Sequence, residues 1–350
     1  MRFILYPFAF LFGVVVSFRN YLYDVGILKS YKSTLKSIGI GNLQVGGSGK
    51  TPMTAYLYQL LKDTETIAIL SRGYGRVTKG LIEADDQSTP STIGDEPMWY
   101  HKNLKEAKVV VSEKRLAGLK LLEKTDVTLV LMDDVFQHRA VEPDIQILLT
   151  EYRKPYYKDY LMPVGRLRES RHYADRADFV VVTKCPQNLS KEERKSIAER
   201  IKAVPNELVM FTGLEYGTPY VLKGKINFED SRHVKVIALS GLADPTDFIH
   251  QCRQFGEVQA VSFPDHYKFT RKDIEKVNAL LSQNAVVICT EKDAVKLQDS
   301  SLSDLIINDK YFALPVKPKL LNFKDEELLS LLKDTLKMTQ EIKRRSVNKK

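Results

Sequence analysis

Short apolar runs alternate with stretches of helical spacing along most of the chain. Residues 35–40, 66–70, 109–111, 127–132, 144–149 and 179–183 are dense in Val, Ile and Leu and too short for helices, which predicts strands. A second series follows at 234–239, 258–263, 286–290 and 311–316. Between them, apolar residues recur every three to four positions at 52–62, 115–124, 191–203 and 272–282, which predicts helices. Strands of this kind separated by helices predict mostly parallel sheets covered on both faces. The rhythm breaks at 207–228, where Leu-Val-Met-Phe-Thr-Gly and Thr-Pro-Tyr-Val-Leu flank turn residues; the pattern reads as an antiparallel hairpin and as a boundary. The expected fold class is therefore α/β, with two α/β/α lobes: a first lobe at 31–206, a hairpin linker at 207–228, a second lobe at 229–340 and a basic tail at 341–350.

Residues 1–30 stand apart. Phe3 to Phe18 carry no charge, with Arg2 before the run and Arg19 after it. As a helix this run spans about 24 Å, short of the ~30 Å hydrocarbon core of a bilayer. A cleaved signal peptide would need a small-x-small site that the run lacks. A buried core helix is one remaining alternative. Tyr6, Phe8, Phe10, Phe12 and Phe18, followed by basic Arg19, Lys29, Lys32 and Lys36, favour a shallow or single-pass membrane anchor.

Composition narrows the partners. A chain of 350 residues has room for two cores, and a net charge of +9 favours anionic partners: nucleic acid, an anionic membrane or a phosphorylated substrate. Cys185, Cys252 and Cys289 are odd in number and lack metal-ligand spacing, which argues against a disulfide framework or structural zinc and for a reducing compartment.

The strongest chemical signal is Gly41-Asn-Leu-Gln-Val-Gly-Gly-Ser-Gly-Lys-Thr-Pro52. It lies between a predicted strand and a predicted helix, the context of a phosphate-binding loop of the P-loop NTPase type. Backbone amides of Gly46, Gly47, Ser48 and Gly49 would face phosphate oxygens, Lys50 would reach the β- and γ-phosphates, and the Thr51 hydroxyl would sit on Mg²⁺. Gln44 occupies a position where the strict pattern has glycine. The strand at 127–132 runs into Asp133 and Asp134, and either carboxylate at the carboxyl end of such a strand suits Mg²⁺. Asp95, in Gly-Asp-Glu-Pro, fits a helix N-cap. Arg72 and Arg76 on a glycine-interrupted loop suit an anion, and Arg166 and Arg168 add guanidinium groups. His266 follows a strand of the second lobe, as does Thr290-Glu291-Lys292-Asp293, which could touch the nucleotide but lacks the guanine-reading form.

In order, GNLQVGGSGKTP, SRGYGR, GDEP, LVLMDDVFQHR, PVGRLRE, FPDHYKF and TEKDAVK resemble the tetraacyldisaccharide 4′-kinase family of lipid A biosynthesis, over roughly residues 1–320. The resemblance implies an enzyme at the cytoplasmic face of the bacterial inner membrane, with two α/β lobes and a hairpin linker. It implies transfer of the γ-phosphate of ATP, with Mg²⁺, to the 4′-hydroxyl of a lipid disaccharide 1-phosphate, giving lipid IVA. By the same resemblance Asp95 is the catalytic base, paired with His266 and assisted by Lys50. Thr51 with Asp133 or Asp134 holds Mg²⁺, and Arg72, Arg76, Arg168 and Glu169 are candidates for substrate. Gln44 stands where the family requires no glycine, whereas Arg166 stands where members often carry Pro. Nucleic acid and an obligate protein partner are not expected. Two alternatives explain less: a membrane-bound nucleotide switch gives no reason for Asp95 and His266, and a kinase of a soluble small molecule gives none for the apolar N-terminus.

Overall fold

The computed structural model describes residues 2–231 and 234–347. The first lobe is built on β1 (Lys36–Asn42), β2 (Ile67–Ser71), β3 (Ile82–Glu83), β4 (Lys108–Val111), β5 (Leu129–Asp133), β6 (Ile145–Glu151), β7 (Phe179–Thr183) and β8 (Val209–Tyr216). The second carries β9 (Tyr220–Val221), β10 (Lys235–Ser240), β11 (Glu257–Ser262), β12 (Ala285–Thr290) and β13 (Tyr311–Leu314); β14 (Val316–Leu320) returns to the first. Among the described residues the first sheet has nine strands in the order β14-β8-β7-β6-β1-β5-β2-β4-β3, and the second has five, β11-β10-β12-β13-β9. All pairs from β8 to β4 in the first sheet are parallel, with antiparallel β14 and β3 at its edges. β2, β5 and β7 are buried along their whole length, which is why they appear in the sequence as unbroken apolar runs.

The helices are α1 (Tyr6–Asp24), α2 (Lys50–Leu61), α3 (Pro90–Ile93), α4 (Asp95–Asn103), α5 (Arg115–Leu122), α6 (Lys191–Ile201), α7 (Thr246–Cys252), α8 (Arg271–Ala279), α9 (Glu291–Leu297) and α10 (Asp325–Val347). Met53, Leu57 and Leu61 of α2 cover one face of the first sheet, and Leu70, Val130 and Met132 join Leu119 and Leu122 of α5 on the other. β10, β12 and β13 likewise feed cores on both faces of the second sheet.

The expected hairpin at 207–228 does not form within that segment. Its first arm, β8, is paired on both sides by β7 and β14, so the second arm, β9, adds instead to the open edge of β13. The apolar run at 311–316 is broken at Pro315, which has no N–H to give a ladder, and the chain changes sheets there. The outgoing and returning connections run side by side, with the Gly217 amide donating to the Pro315 carbonyl at 3.0 Å. Residues 325–340 belong with the first lobe rather than the second: Leu328, Leu332 and Leu336, four apart on α10, enter the core shared by β1 and α2. The tail at 341–350 is helical as far as Val347, and Lys343 is anchored to Asp144 at 2.5 Å and to the Ser33 carbonyl at 2.7 Å; residues 348–350 lie outside the described residues.

No helix of the described residues is long and apolar enough to cross a membrane, so α1 does not bear out the single-pass alternative. Nor is α1 a core helix. Ala9 and Asn20 are its buried residues, while Phe8, Phe10 and Phe18 are 61%, 75% and 61% exposed.

Candidate active site

β1 and β5 end side by side, with Ile40 opposite Asp133. Beyond β1 the chain turns through Gly46 and Gly49, whose φ angles of 112° and 86° exclude most side chains, and enters α2 at Lys50. Two neighbours fix this loop: Thr183 donates to the Ser48 carbonyl at 2.9 Å, and Lys184 reaches the Gly47 carbonyl at 2.6 Å. Gln44, the residue without precedent in the strict pattern, donates to Asp159 at 2.7 Å, and Asp159 also takes Arg166 Nε at 3.0 Å. A side chain that braces the loop thus replaces a glycine that would free it. The amides of the turn and the start of α2 leave an anion site at the switch between β1 and its neighbours.

Lys50 lies 3.3 Å from Asn42 Oδ1 and 3.8 Å from Asp134. Arg168 grips Asp134 at 2.8 and 3.2 Å and donates to the Asn42 carbonyl at 2.7 Å. Burial pushes the Asp134 carboxyl up, but Lys50 and Arg168 outweigh it and hold the group well below the usual range. Asp134 also holds a φ of 47°, backbone strain of a kind that gathers at functional sites. Asp133 differs. It is 1% exposed, neither carboxylate oxygen has a hydrogen-bond partner among the described residues, and burial with nearby Glu96 and Asp134 pushes it up to about 7. Thr51 stands beside the buried Tyr100 hydroxyl. A buried, unpartnered carboxylate next to a second one, at the mouth of a phosphate loop, fits a hard divalent cation with oxygen ligands.

Asp95 is the first residue of α4, with Gly94 in the N-cap position that the sequence assigns to Asp95 itself. Gly94 has a φ of 97°, and a Cβ there would meet the Tyr74 carbonyl at 2.9 Å, so the glycine ties this helix to the Ser71–Arg76 loop. Asp95 reaches across to the second lobe: His266 Nδ1 lies 3.3 and 3.2 Å from its two oxygens. Burial works against the Asp95 charge, but His266, Lys292 and Lys296 bring its pKa down to about 2. Burial likewise opposes the imidazolium, and the Asp95 contact outweighs it, so His266 titrates above its ordinary value. His266 is itself held at a φ of 57°. The two lobes therefore meet at an ionised carboxylate and an imidazole.

A family model described as "Tetraacyldisaccharide-1-P 4'-kinase" matches residues 1–337. The tetraacyldisaccharide 4′-kinase of Flavobacterium johnsoniae is 38% identical over 96% of this chain and 98% of its own, and that of Bacteroides thetaiotaomicron 35% over 91% and 88%. The crystal structure of LpxK from Aquifex aeolicus in complex with ATP superposes with a TM-score of 0.73 at 33% identity, covering 96% of this chain and 99% of that one. The chain belongs to the tetraacyldisaccharide 4′-kinase family.

Within this family member the expected substrate residues part company. Arg72 is exposed on its loop. Arg76 is committed to Glu113 at 2.5 Å and to the Gly80 carbonyl at 2.6 Å, bracing that loop. Glu169 does not face the cleft at all. It is 1% exposed and accepts from Asn20 of α1 at 2.9 Å, from Gln137 at 2.9 Å and from Arg176 at 2.5 Å, which leaves no room for a ligand. Sequence reasoning gave no role to Glu96, Lys296 or Arg115. Glu96 pairs with Lys292 at 3.1 Å; Lys296 lies 2.7 Å from Asp293 and 4.0 Å from Asp95; buried Arg115 donates to the Asp133 carbonyl at 2.8 Å. Glu96 and Lys296 sit inside the GDEP and TEKDAVK motifs, a signal that could have found them; a lone Arg115 carries no pattern.

Glu169→Ala should lower stability by about 3–5 kcal/mol, because the partly buried Arg176 guanidinium loses its partner. Urea unfolding measures this; an unchanged midpoint with lost phosphoryl transfer would point back to a substrate contact.

Proposed function

We propose that this chain transfers the γ-phosphate of ATP to the 4′-hydroxyl of a tetraacyldisaccharide 1-phosphate, at a membrane surface, giving lipid IVA. The carrying observation is the Asp95–His266 contact between lobes, close enough to the phosphate loop for Glu96 to feel the Lys50 charge. The amides of Gly46–Gly49 and Lys50 bind the β- and γ-phosphates. Asp133 and Thr51 would hold Mg²⁺, with Asp134 tied to Arg168 behind them; the ion would supply neutralisation of phosphate charge. Asp95, kept ionised, takes the proton of the sugar hydroxyl on a carboxylate oxygen as the hydroxyl oxygen bonds to the γ-phosphorus and the bond from that phosphorus to ADP breaks. His266 orients Asp95 through the contact of its Nδ1 with the carboxylate. Most of the rate comes from positioning and charge, since phosphoryl transfer asks little covalent help. Of the expected guanidinium groups, exposed Arg72 is the one left available to phosphate, since Arg168 is held by Asp134 and Asn42.

The acceptor's acyl chains account for α1. Its outward phenylalanines suit an interfacial helix on the cytoplasmic face of the inner membrane. Beside it, Ala9, Phe10, Leu161, Val164 and Leu167 line a groove of about 340 Å³ suited to a chain segment.

Incubation with γ-labelled ATP, Mg²⁺ and the lipid disaccharide 1-phosphate should label the lipid; release of label only as inorganic phosphate would refute the assignment. In that assay Asp95→Ala should lower kcat by roughly 10²–10⁴-fold with the Kd for ATP unchanged. Asp133 gives a second expectation. Its folded-state pKa lies above the ordinary carboxylate value, so folding takes up a proton and stability falls as pH rises towards about 7. In metal-free buffer at about pH 8, well above that value, Asp133→Asn should keep or raise Tm, while abolishing the rise that Mg²⁺ gives the wild-type chain. Replacing Phe8, Phe10 and Phe18 together by Ser should release the protein from anionic vesicles and raise KM for long-chain lipid, with ATP binding intact. Equal loss of ATP binding would assign these residues to folding.

A further inference from the structure

His266 is caught between two groups that each dictate one ring nitrogen. Nδ1 faces Asp95, which is ionised and can only accept; Nε2 lies 3.4 Å from the Lys292 ammonium, which can only donate. A neutral imidazole protonated on Nδ1 satisfies both neighbours. The other tautomer satisfies neither, and an imidazolium would set an N–H against the ammonium. Lys292 is fastened in place by Glu96 at 3.1 Å and Asp265 at 3.8 Å. Burial opposes its charge, but Glu96, Asp95 and Asp265 outweigh that and keep it protonated.

The contact also crosses the cleft. Lys292 is on α9 of the second lobe and Glu96 on α4 of the first, so the ion pair and the Asp95–His266 contact close the same junction from two sides. Groups facing the imidazole are Asp95 and Glu96 from α4, Asp265 from its own loop at 3.9 Å, the Tyr74 ring at 5.0 Å and Lys292 from α9. Lys296, also on α9, acts on Asp95. Of these groups only Lys292 is a cation in contact with the ring.

We propose that Lys292 is a positioning residue for phosphoryl transfer, holding His266 in the Nδ1-protonated tautomer and so presenting ionised Asp95, not Nε2, to the acceptor hydroxyl. This rests on the reading of Asp95 and His266 as the proton-handling pair. It follows that Nε2 is disfavoured as a base and that a second proton on His266 is set against the Lys292 charge. Removing the ammonium leaves three carboxylates around the ring, all favouring imidazolium. His266 must then titrate at higher pH, and the acid limb of kcat must move the same way.

The test uses the full chain with ¹⁵N-labelled histidine, as wild type, Lys292→Met and Lys292→Arg. The two ring nitrogens of His266 are followed by NMR against pH, beside kcat and KM. For Lys292→Met the His266 titration should rise by about one pH unit, a tenfold change in proton affinity, and the Nδ1-protonated tautomer should lose its dominance. At pH 7, kcat should fall about tenfold or more, with its acid limb displaced and KM for ATP unchanged. Lys292→Arg keeps a permanent charge and should restore tautomer and kcat to within a few-fold. A His266 titration that stays put in Lys292→Met overturns the role of Lys292 and leaves the pair intact. A titration that moves while kcat and its pH profile do not overturns the pair itself, and the inference with it. Should Lys292→Met fail to fold, Lys292→Arg decides: loss of the Nδ1 tautomer in that variant overturns the inference.

Discussion

The site depends on keeping carboxylates ionised where burial works against charge. Asp95, Glu96, Asp133 and Asp134 crowd the junction of the two lobes, and in each burial pushes the pKa upward. Three of them are rescued by neighbours: Asp134 by Lys50 and Arg168, Glu96 by Lys292, and Asp95 by a hydrogen bond from His266 with the cations Lys292 and Lys296. Asp133 has only more distant help, from Lys50 and Arg115, and its oxygens stay unpartnered. The difference sorts the carboxylates by task. In the proposed reaction, the group that would accept a proton from a hydroxyl is held ionised by fixed side chains, and a group suited to a metal is left to meet a charge that comes and goes.

That arrangement needs two lobes meeting at a fixed junction. The connection is made twice, by the chain leaving β8 and by the chain returning from β13, joined at Gly217 and Pro315. A single linker would leave the second lobe free to swivel. Two adjacent strands limit it to bending, which keeps α9 opposite α4 and brings His266 and Lys292 to Asp95 and Glu96 together. α10 then closes the first lobe by laying Leu328, Leu332 and Leu336 against β1 and α2, beneath the phosphate loop.

The parallel strands and the phosphate loop were legible because each rests on a local rule: buried strands read as apolar runs, and a tight turn before a helix needs glycine. Asp133 and Asp134 were legible from their place at a strand end. The pairing of β8 was not, because which edge a strand finds depends on neighbours far along the chain, and β14 lies about a hundred residues downstream of β8. Glu169 shows a second limit. A motif fixes which residue types occur together but not which way each faces, and in this motif Arg168 turns to Asp134 while its neighbour turns inward to Asn20. Lys292 shows a third: it stood in a quoted motif, yet its meaning comes from Glu96, 196 positions away.

α1 is inverted relative to a helix packed in water. Such a helix turns its apolar stripe to the protein and its polar face outward. Here the phenylalanines look out, and the buried face carries Asn20, whose side-chain amide donates to Glu169 while its main-chain carbonyl accepts from Arg139. The inversion makes sense where the outside is less polar than the inside, which is the membrane surface proposed above. It also sets what lies beneath that surface. Glu169 accepts from Gln137, Gln137 donates to the Asn42 carbonyl, and Asn42 receives Lys50. The apolar helix is thereby joined to the phosphate loop by hydrogen bonds as well as by its apolar contact at Leu161. Hydrogen bonds are directional and apolar packing is not, so this linkage fixes the bearing of the helix on the loop as well as its distance. The proposed reaction, with an acceptor held in a bilayer, would need both, since the hydroxyl would have to arrive at Asp95 from a surface whose orientation the protein does not control.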